Sequence, residues 1–503
     1  MRKNILSLSI AAMVGGLGLA GGAVAAPATT LKVTPEGIGH ILVVPYFTAQ
    51  EGNATLLNIV NTDETNGKAV KVRFRGASNS DDVFDFTLFL SPGDVWAAEI
   101  SQNPSTGLAR LSTPDNSCTL PTQVNRDFIT ARLNPKANLA NETREGYIEI
   151  LNTADIKPGT AVYSAIKHVK GAPPVACSNG AATPAALKPL LTEAGISAAG
   201  FSAPTTGLFA NWSIFNVADA TSWSGEATAI VAVDARGLAG EGLVVAHPQA
   251  NGKPSGSVAD LTADPLLVSG AVTIQHFDLP DLSTPYTGTT TAAAQAALLS
   301  GALAKTSIKN EYFTDDSVQA QTDWVFSLPT RRYSVALNYE ASNGVPAGRV
   351  FTTLSPEYFN ASNTTVEGSA ATQKICVSGI DRVFWDRSEQ QKASDEDFVI
   401  SPSPIAPKIN LCGEVAVWSI NAGDEFAASA LSASVARKNL EVGYADGWGK
   451  FVTPGLGNGL PLLGAAFAKA TSTNIGAGVS GNFGLAWAHR YTSPVAPVPA
   501  PQP

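Results

Sequence analysis

The runs Ala69-Val-Lys-Val-Arg-Phe74 and Val83-Phe-Asp-Phe-Thr-Leu-Phe-Leu90 decide the fold, because apolar residues recur at every second position in both. Side chains along a β-strand point alternately to opposite faces, so this spacing predicts two strands. The turn-forming sequence Ser91-Pro-Gly-Asp94 closes the second run, and the apolar run Val95-Trp-Ala-Ala-Glu-Ile100 follows at once. Strands joined by tight turns in this way are typical of antiparallel sheets.

The same organisation continues on both sides of this stretch. Further apolar runs cover residues 41–45 and 55–61, and strand starts recur about every 12–14 residues with Asn, Asp, Gly and Pro between them. We therefore predict a mainly β protein made of two or more antiparallel β-sandwich units of the immunoglobulin-like type, with two short inserted helices. Apolar runs that end at Asn61, Asn152 and Asn216 fit either duplicated sheets or the turn preference of Asn.

Two segments have helical patterns. Residues 184–194 place leucines on one face but contain Pro189, and residues 291–305 are rich in Ala with leucines on one face. A loop-like sequence rich in Pro and Gly at 278–290 suggests a boundary. We predict five regions, which are a signal peptide at 1–25, an N-terminal β-sandwich region at 31–280, a loop and helix connector at 281–306, a C-terminal β-rich region at 307–492 and a Pro-rich tail at 493–503. The tail is interpreted as a solvated spacer, with docking to an aromatic groove as the alternative.

The N-terminus has the pattern of a secretory signal peptide. Arg2 and Lys3 precede an apolar, Gly-rich run, and Ala23-Val-Ala25 supplies small residues for cleavage. That run is short and broken by Gly, and no later stretch is apolar over the length of a bilayer span. We expect export to the cell surface or the medium with no transmembrane segment after cleavage, and the periplasm is the alternative location.

Composition narrows the classes of function. Charged residues make up 15% of the 503-residue chain and hydrophobic residues 44%, which allows a large packed core. The net charge of −9 predicts no nucleic-acid partner, because proteins that bind nucleic acids usually carry an excess of basic residues. Low charge favours association with envelope or matrix components, including self-association.

Cysteine usage agrees with export. The chain has Cys118, Cys177, Cys376 and Cys412, and no two of them form a Cys-x-x-Cys pair. Four cysteines allow three pairings, of which we favour the nearest-neighbour pairing, Cys118 with Cys177 and Cys376 with Cys412. A four-cysteine zinc site is the competing interpretation, but such sites use closely spaced pairs.

The sequence has no recognisable catalytic or cofactor motif. It lacks Gly-x-Ser-x-Gly, His-Glu-x-x-His and a phosphate-binding loop, and we interpret the Gly-rich segment 476–481 as a turn. The acidic clusters at 80–82 and 394–397 are interpreted as solvated turns rather than calcium loops. We therefore predict no catalytic, cofactor-binding or metal-binding residues and no cofactor. A metal site assembled from the distant His40 and His489 stays open as an alternative.

Two of the eight tryptophans are candidates for ligand stacking. Trp223 stands between two serines and Trp448 between two glycines, whereas the others lie in strand-like runs and are predicted to be core. An exposed indole offers an apolar face and one polar N–H, which suits a sugar or an interface.

The chain also resembles a family of exported proteobacterial proteins usually labelled hypothetical or cell-surface proteins. The segments that carry the resemblance are Gly37-Ile-Gly-His-Ile-Leu-Val-Val-Pro-Tyr-Phe47, Leu90-Ser-Pro-Gly-Asp-Val-Trp96, Arg144-Glu-Gly-Tyr-Ile-Glu-Ile150, Thr322-Asp-Trp-Val-Phe326 and Ala486-Trp-Ala-His-Arg-Tyr491. The resemblance implies a surface location and brings no catalytic residues.

These observations together predict an exported, non-enzymatic cell-surface protein with an adhesive, matrix or envelope-structural role. The alternative is a secreted protein that binds or degrades an insoluble carbohydrate or apolar polymer, for which Trp223 and Trp448 would be the contact residues.

Overall fold

The computed structural model describes residues 26–122, 124–169, 177, 185–191, 199–242, 292–337, 339, 349–351, 358–391, 408–423, 428–453, 458–476 and 479–494. Within these ranges the chain is mainly β and forms several antiparallel sheets, as predicted. The predicted signal peptide, the loop at 278–290, the acidic cluster at 394–397 and residues 495–503 of the tail lie outside the described residues.

The first sandwich is built from two sheets. Its strands are β1 (Thr30–Thr34), β2 (Ile41–Thr48), β3 (Asn53–Asn61), β4 (Gly67–Gly76), β5 (Asp82–Leu90), β6 (Val95–Gln102), β7 (Ala109–Ser112), β8 (Cys118–Leu120), β9 (Glu145–Ile156), β10 (Leu208–Asn216), β11 (Thr221–Glu226) and β12 (Thr228–Val233). One sheet has the order β1-β12-β2-β9-β4-β5-β8, and the other has the order β11-β10-β3-β6-β7. The runs quoted from the sequence thus form β2 to β6, which confirms the strands predicted from alternation.

The second sandwich also has two large sheets, and the pairs β13-β24 and β16-β17 form two small sheets beside them. Its strands are β13 (Ala304–Lys305), β14 (Ser307–Phe313), β15 (Gln321–Ser327), β16 (Val335–Leu337), β17 (Arg349–Phe351), β18 (Thr364–Glu367), β19 (Lys374–Trp385), β20 (Ile409–Cys412), β21 (Val415–Asn421), β22 (Arg437–Glu441), β23 (Asp446–Val452), β24 (Leu460–Pro461), β25 (Leu463–Gly476), β26 (Val479–Ala488) and β27 (Arg490–Thr492). One sheet has the order β18-β19-β23-β14-β27 with β20 beside β19, and the other has the order β22-β21-β15-β25-β26. Strands β25 and β26 pair with each other, with Gly476 opposite Val479, and residues 477–478 of the Gly-rich segment lie outside the described residues.

The described residues contain three short α-helices, which are α1 (Leu139–Glu142), α2 (Ala161–Ile166) and α3 (Ala292–Leu303). The last of these confirms the helix predicted at 291–305, and its Leu299 and Leu303 are buried. The helix predicted at 184–194 is wrong as an α-helix in its described part, where only the 3-10 turn Lys188–Leu191 forms. Pro189 lies in that turn and has no N–H to donate to an α-helical hydrogen bond.

The two sandwiches share one apolar core. One face of the β21-β15-β25 sheet points away from the interior of the second sandwich and carries Val325, Val417 and Phe467. These residues belong to the same buried cluster as Val43 and Tyr46 of β2. The 7-stranded sheet therefore packs on its own partner sheet and on the second sandwich. The second sandwich also contacts the 5-stranded sheet, where Trp212 lies against Phe467. Phe215 on β10 and Trp448 on β23 remain exposed.

Buried ion pairs reinforce the contact between the sandwiches. On β4, Arg75 lies 2.9 Å from Glu149 and 3.0 Å from Asp82. From the second sandwich, Arg332 lies 3.1 Å from the same Glu149. Asp82 is completely buried, so the interpretation of residues 80–82 as a solvated turn is wrong. A carboxylate taken out of water needs partners of opposite charge, and here the arginines supply them.

Candidate binding cleft

The candidate site lies on the outer face of the sheet that contains β14, β19, β23 and β27. Along β14 the alternation is regular, since Ile308 and Asn310 are buried whereas Lys309 and Glu311 are exposed. Glu311 pairs with Trp448 of β23. The face that the sandwich does not use for its core therefore presents long side chains to solvent.

Two tryptophans stack on this face. Trp385 of β19 is paired in register with Trp448 of β23, and their ring centroids are 4.1 Å apart with an interplanar angle of 10°. Trp448 is 40% exposed, which confirms the prediction that this side chain reaches the surface. Since one indole face is covered by Trp385, a ligand can stack only on the faces that remain accessible.

The glycines on either side of Trp448 make this arrangement possible. A Cβ at Gly447 would lie 1.8 Å from the carbonyl oxygen of Trp385, and a Cβ at Gly449 would lie 2.3 Å from the ring of Phe384. Gly447 also has φ of +154°, a conformation that other residues rarely adopt. The sequence Gly-Trp-Gly thus lets β23 approach β19 closely enough for the two indoles to stack.

Beside the indoles lies an open cleft with a volume of about 770 Å³. The residues that line it are Lys309, Asn310, Glu311, Tyr312, Phe313, Asp386, Arg387, Gly447, Trp448 and Arg490. Half of them carry a charge, and the rest supply aromatic and amide groups. This volume falls in the range of small-molecule sites, and the mixture of one apolar platform with several polar groups is usual for ligand recognition.

Some of the polar groups in the cleft are fixed by the protein. Arg387 Nε lies 2.9 Å from Asp446 Oδ1, and Asp386 Oδ1 accepts the backbone N–H groups of Ser388 and Gln390, both at 2.8 Å. Tyr312 is buried, and burial together with the nearby carboxylates of Asp446 and Asp386 raises the pKa of its phenol well above the usual value. Its hydroxyl is therefore protonated at neutral pH and lies buried behind the lining of the cleft.

Trp223 is not a surface residue, contrary to prediction. It is only 3% exposed, and its Nε1–H donates a hydrogen bond of 2.8 Å to the carbonyl oxygen of Ala468 in the second sandwich. The small residues around it gave a misleading signal, because the covering strands β25 and β26 come more than two hundred residues later in the chain.

The four cysteines form the two predicted nearest-neighbour disulfides, Cys118–Cys177 and Cys376–Cys412. Glu367 and Lys438 lie beside the second disulfide, with Lys438 Nζ 2.7 Å from the Glu367 carboxylate and 3.0 Å from Cys412 Sγ. Zinc sites use thiolates, and these sulfurs are bonded to each other. The arrangement therefore does not fit the zinc alternative.

The histidines considered as a metal pair do not meet. His40 Nε2 donates to the carbonyl oxygen of Gly240 at 3.0 Å, and its Nδ1 accepts the N–H of Ala232. His489 Nε2 donates to the carbonyl oxygen of Val325 at 3.0 Å, inside the second sandwich. Burial lowers the pKa of His40 to about 4 and that of His489 to about 3, so both rings are neutral at pH 7. Each ring has a structural role where it lies.

One constellation that sequence reasoning missed is Ser91, Asp94 and His168. Ser91 Oγ lies 3.2 Å from His168 Nδ1, and Asp94 Oδ2 lies 3.6 Å from the same nitrogen. A Ser-His-Asp relay needs the serine and the carboxylate on opposite nitrogens of the ring. Here Ser91 Oγ donates directly to Asp94 Oδ2 at 3.2 Å. The three residues stabilise the turn after β5 and do not form a nucleophile.

No helix among the described residues is long and apolar enough to cross a membrane. No protein-family model matches the chain, and comparisons with curated proteins and with solved structures find no significant similarity.

Proposed function

We propose that this chain is an exported, non-enzymatic protein of the cell surface or extracellular matrix, and that it adheres by binding carbohydrate in the cleft beside Trp448. The exposed indole of Trp448, held in place by its stack on Trp385, is the observation that carries the proposal. A pyranose ring presents an apolar face of C–H groups and a polar edge of hydroxyls. An aromatic platform rimmed by hydrogen-bonding groups complements both.

The charged lining favours carbohydrate over an apolar polymer as the ligand. Lys309, Glu311 and Arg490 line the cleft together with the indole. An apolar polymer would desolvate these groups without hydrogen-bonding them, which costs binding free energy. Hydroxyl groups of a sugar can instead donate to the carboxylate and accept from the cations.

Export and the contact between the two sandwiches support an adhesive role. The N-terminal segment has the pattern of a signal peptide, and two disulfides are typical of proteins that fold outside the cytosol. The shared core and the buried ion pairs join the two sandwiches. A frame joined in this way can present the binding face to an insoluble ligand, as attachment requires.

The test is binding of the mature chain to insoluble polysaccharides and to a glycan array, compared with a Trp448→Ala variant. Burying an indole face contributes about 1.5–3 kcal/mol, so the variant should lose at least about tenfold in affinity. Phe215→Ala is the matched control, since Phe215 is 39% exposed on β10 of the first sandwich, outside the cleft. Unchanged binding by Trp448→Ala, or no binding of the parent chain to any glycan, would overturn the proposal.

A further inference from the structure

A row of three cations lies next to the stacked indoles. Lys309 of β14 is paired in register with Lys450 of β23 on one side and with Arg490 of β27 on the other. Residues that face each other on neighbouring strands project from the same side of the sheet, about 4.8 Å apart per strand. The cation row, Lys450-Lys309-Arg490, therefore crosses three strands and spans about 10 Å.

Among the residues that the structure describes, no member of the cation row forms an ion pair or a side-chain hydrogen bond. Glu311 and Asp386, the carboxylates that line the cleft, are not within ion-pair distance of the row, and Asp386 holds its own turn. Like charges directly opposite each other on neighbouring strands destabilise a sheet. Such a row is unexpected in a chain of net charge −9 unless something else compensates it.

The cation row and the indoles are placed to contact one ligand. Lys450 is two residues from Trp448 on β23, and Lys309 is two residues from Glu311, which pairs with Trp448. Two residues along a strand correspond to about 7 Å. A sugar ring stacked on Trp448 therefore has its substituents, or the next sugar of the chain, within reach of Lys450 and Lys309.

We infer that the ligand of this cleft is an acidic polysaccharide, whose sugar rings stack on Trp448 while its carboxylate, sulfate or phosphate groups pair with the cation row. The inference rests on the proposed function and specifies its ligand. A neutral glycan would use the indole but leave the three cations uncompensated. An anionic chain uses both features and removes the repulsion within the row.

The experiment compares binding to a polyuronate with binding to a neutral glucan, at low and at physiological salt. Three chains are used, which are the parent, a Lys309→Ser/Lys450→Ser variant and a control variant, Lys136→Ser/Lys157→Ser. The control removes the same charge from exposed positions of the first sandwich, outside the cleft. We expect the parent to prefer the polyuronate, with an affinity that falls as salt screens the charges. The Lys309→Ser/Lys450→Ser variant should lose about tenfold or more on the polyuronate, and the control should bind like the parent.

The outcomes separate this inference from the proposed function. One outcome is that both polymers bind equally, that neither salt nor Lys309→Ser/Lys450→Ser changes the binding, and that Trp448→Ala abolishes it. This outcome would overturn the acidic ligand and leave the proposal of carbohydrate binding intact. Binding of neither polymer would overturn both. Tighter binding to anionic phospholipid vesicles or to single-stranded DNA than to the polyuronate, lost in the same double variant, would identify another anionic macromolecule and overturn the polysaccharide.

Discussion

Several carboxylates lie in the contact between the sandwiches and could be replaced singly by the corresponding amide. Among these replacements, Glu149→Gln should destabilise the protein most. The buried carboxylate of Glu149 accepts from Arg75 Nε at 2.9 Å and from Arg332 Nη2 at 3.1 and 3.2 Å. Arg73 Nη1 adds a third guanidinium at 3.9 Å. The amide keeps the volume of the side chain but removes the negative charge that Arg332 and Arg75 share, and Arg75 is left with Asp82 alone at 3.0 Å.

The magnitude follows from the burial of the group. Removing one partner of a buried ion pair costs about 3–5 kcal/mol, because the remaining charge is desolvated without compensation. Glu145→Gln is the matched control, since Glu145 is on the same strand and equally buried but accepts backbone N–H groups of Ser434 and Ala436 instead of arginines. An amide oxygen can keep part of these hydrogen bonds, so we expect a loss of about 1 kcal/mol.

The pKa values of the two glutamates move in opposite directions. Burial raises the pKa of both, but at Glu149 the guanidinium groups of Arg332, Arg75 and Arg73 outweigh it and lower the pKa below the usual value. The stabilisation by Glu149 is therefore complete above the unfolded pKa, about 4.3, and is lost as the pH falls through the lower folded pKa. Glu145, whose folded pKa is raised, behaves in the opposite way, because protonation on acidification relieves the cost of its buried charge.

Urea unfolding followed by tryptophan fluorescence, at pH 7 and at a series of lower pH values, measures these differences. The difference in unfolding free energy between the parent and Glu149→Gln should be constant near neutral pH and shrink below about pH 4. A loss in Glu149→Gln no larger than that in Glu145→Gln, or a difference that does not change with pH, would refute the role assigned to the arginine cluster.

Three further predictions concern stability. Replacing Cys376 and Cys412 together by Ser should lower the unfolding free energy by about 4 kcal/mol, because the disulfide closes a loop with a sequence separation of 36 residues; a urea midpoint below that of the oxidised parent would confirm it, and an unchanged midpoint under oxidising conditions would contradict it. Trp223→Phe should cost about 1–2 kcal/mol through the lost hydrogen bond to Ala468 and leave glycan binding unchanged, so a binding defect in a folded variant would argue against its structural role. Gly484→Ala should lower the melting temperature, since a Cβ there would lie 2.0 Å from the carbonyl oxygen of Ser222. Gly423→Ala is the control and should leave the melting temperature unchanged, because a Cβ there would have no atom within 4 Å. Equal melting temperatures of the two variants would mean that β26 does not lie against β11 as described.

Local patterns in the sequence were sufficient to predict the strands. The alternation of Val70, Val72 and Phe74 identified β4, and the turn at 91–94 placed the start of β6. The prediction that a strand ends at Asn is confirmed for Asn61 and Asn216. The side-chain oxygen of each accepts a backbone N–H two or three residues later. These features depend on residues close together in the chain, and such features are visible without a structure.

Features that depend on distant residues could not be predicted in the same way. Asn152 does not end a strand, because the register between β4 and β9 shifts beside it and β9 continues to Ile156. Trp223 was predicted to be exposed, but it is covered by the strand that contains Ala468 and donates a hydrogen bond to the carbonyl oxygen of that residue. Trp385 was assigned to the core with the other tryptophans, although it forms half of the stacked pair on the outer face. In each case the partner strand decides the environment, and its identity is not encoded locally.

The cations of β4 and those of β14 differ in whether carboxylates lie close to them. Lys71 and Arg75 alternate with apolar residues on β4, as Lys309 does on β14. Where the second sandwich covers β4, its cations have close carboxylates, with Lys71 2.6 Å from Asp85 and Arg75 3.0 Å from Asp82. The cation row on the outer face has none among the described residues, although the chain as a whole has more acidic than basic residues. The carboxylates close to Lys71 and Arg75 compensate positive charge that the fold buries, whereas the cation row beside the exposed indole has no ion pair among the described residues and suits a ligand that brings its own negative charge.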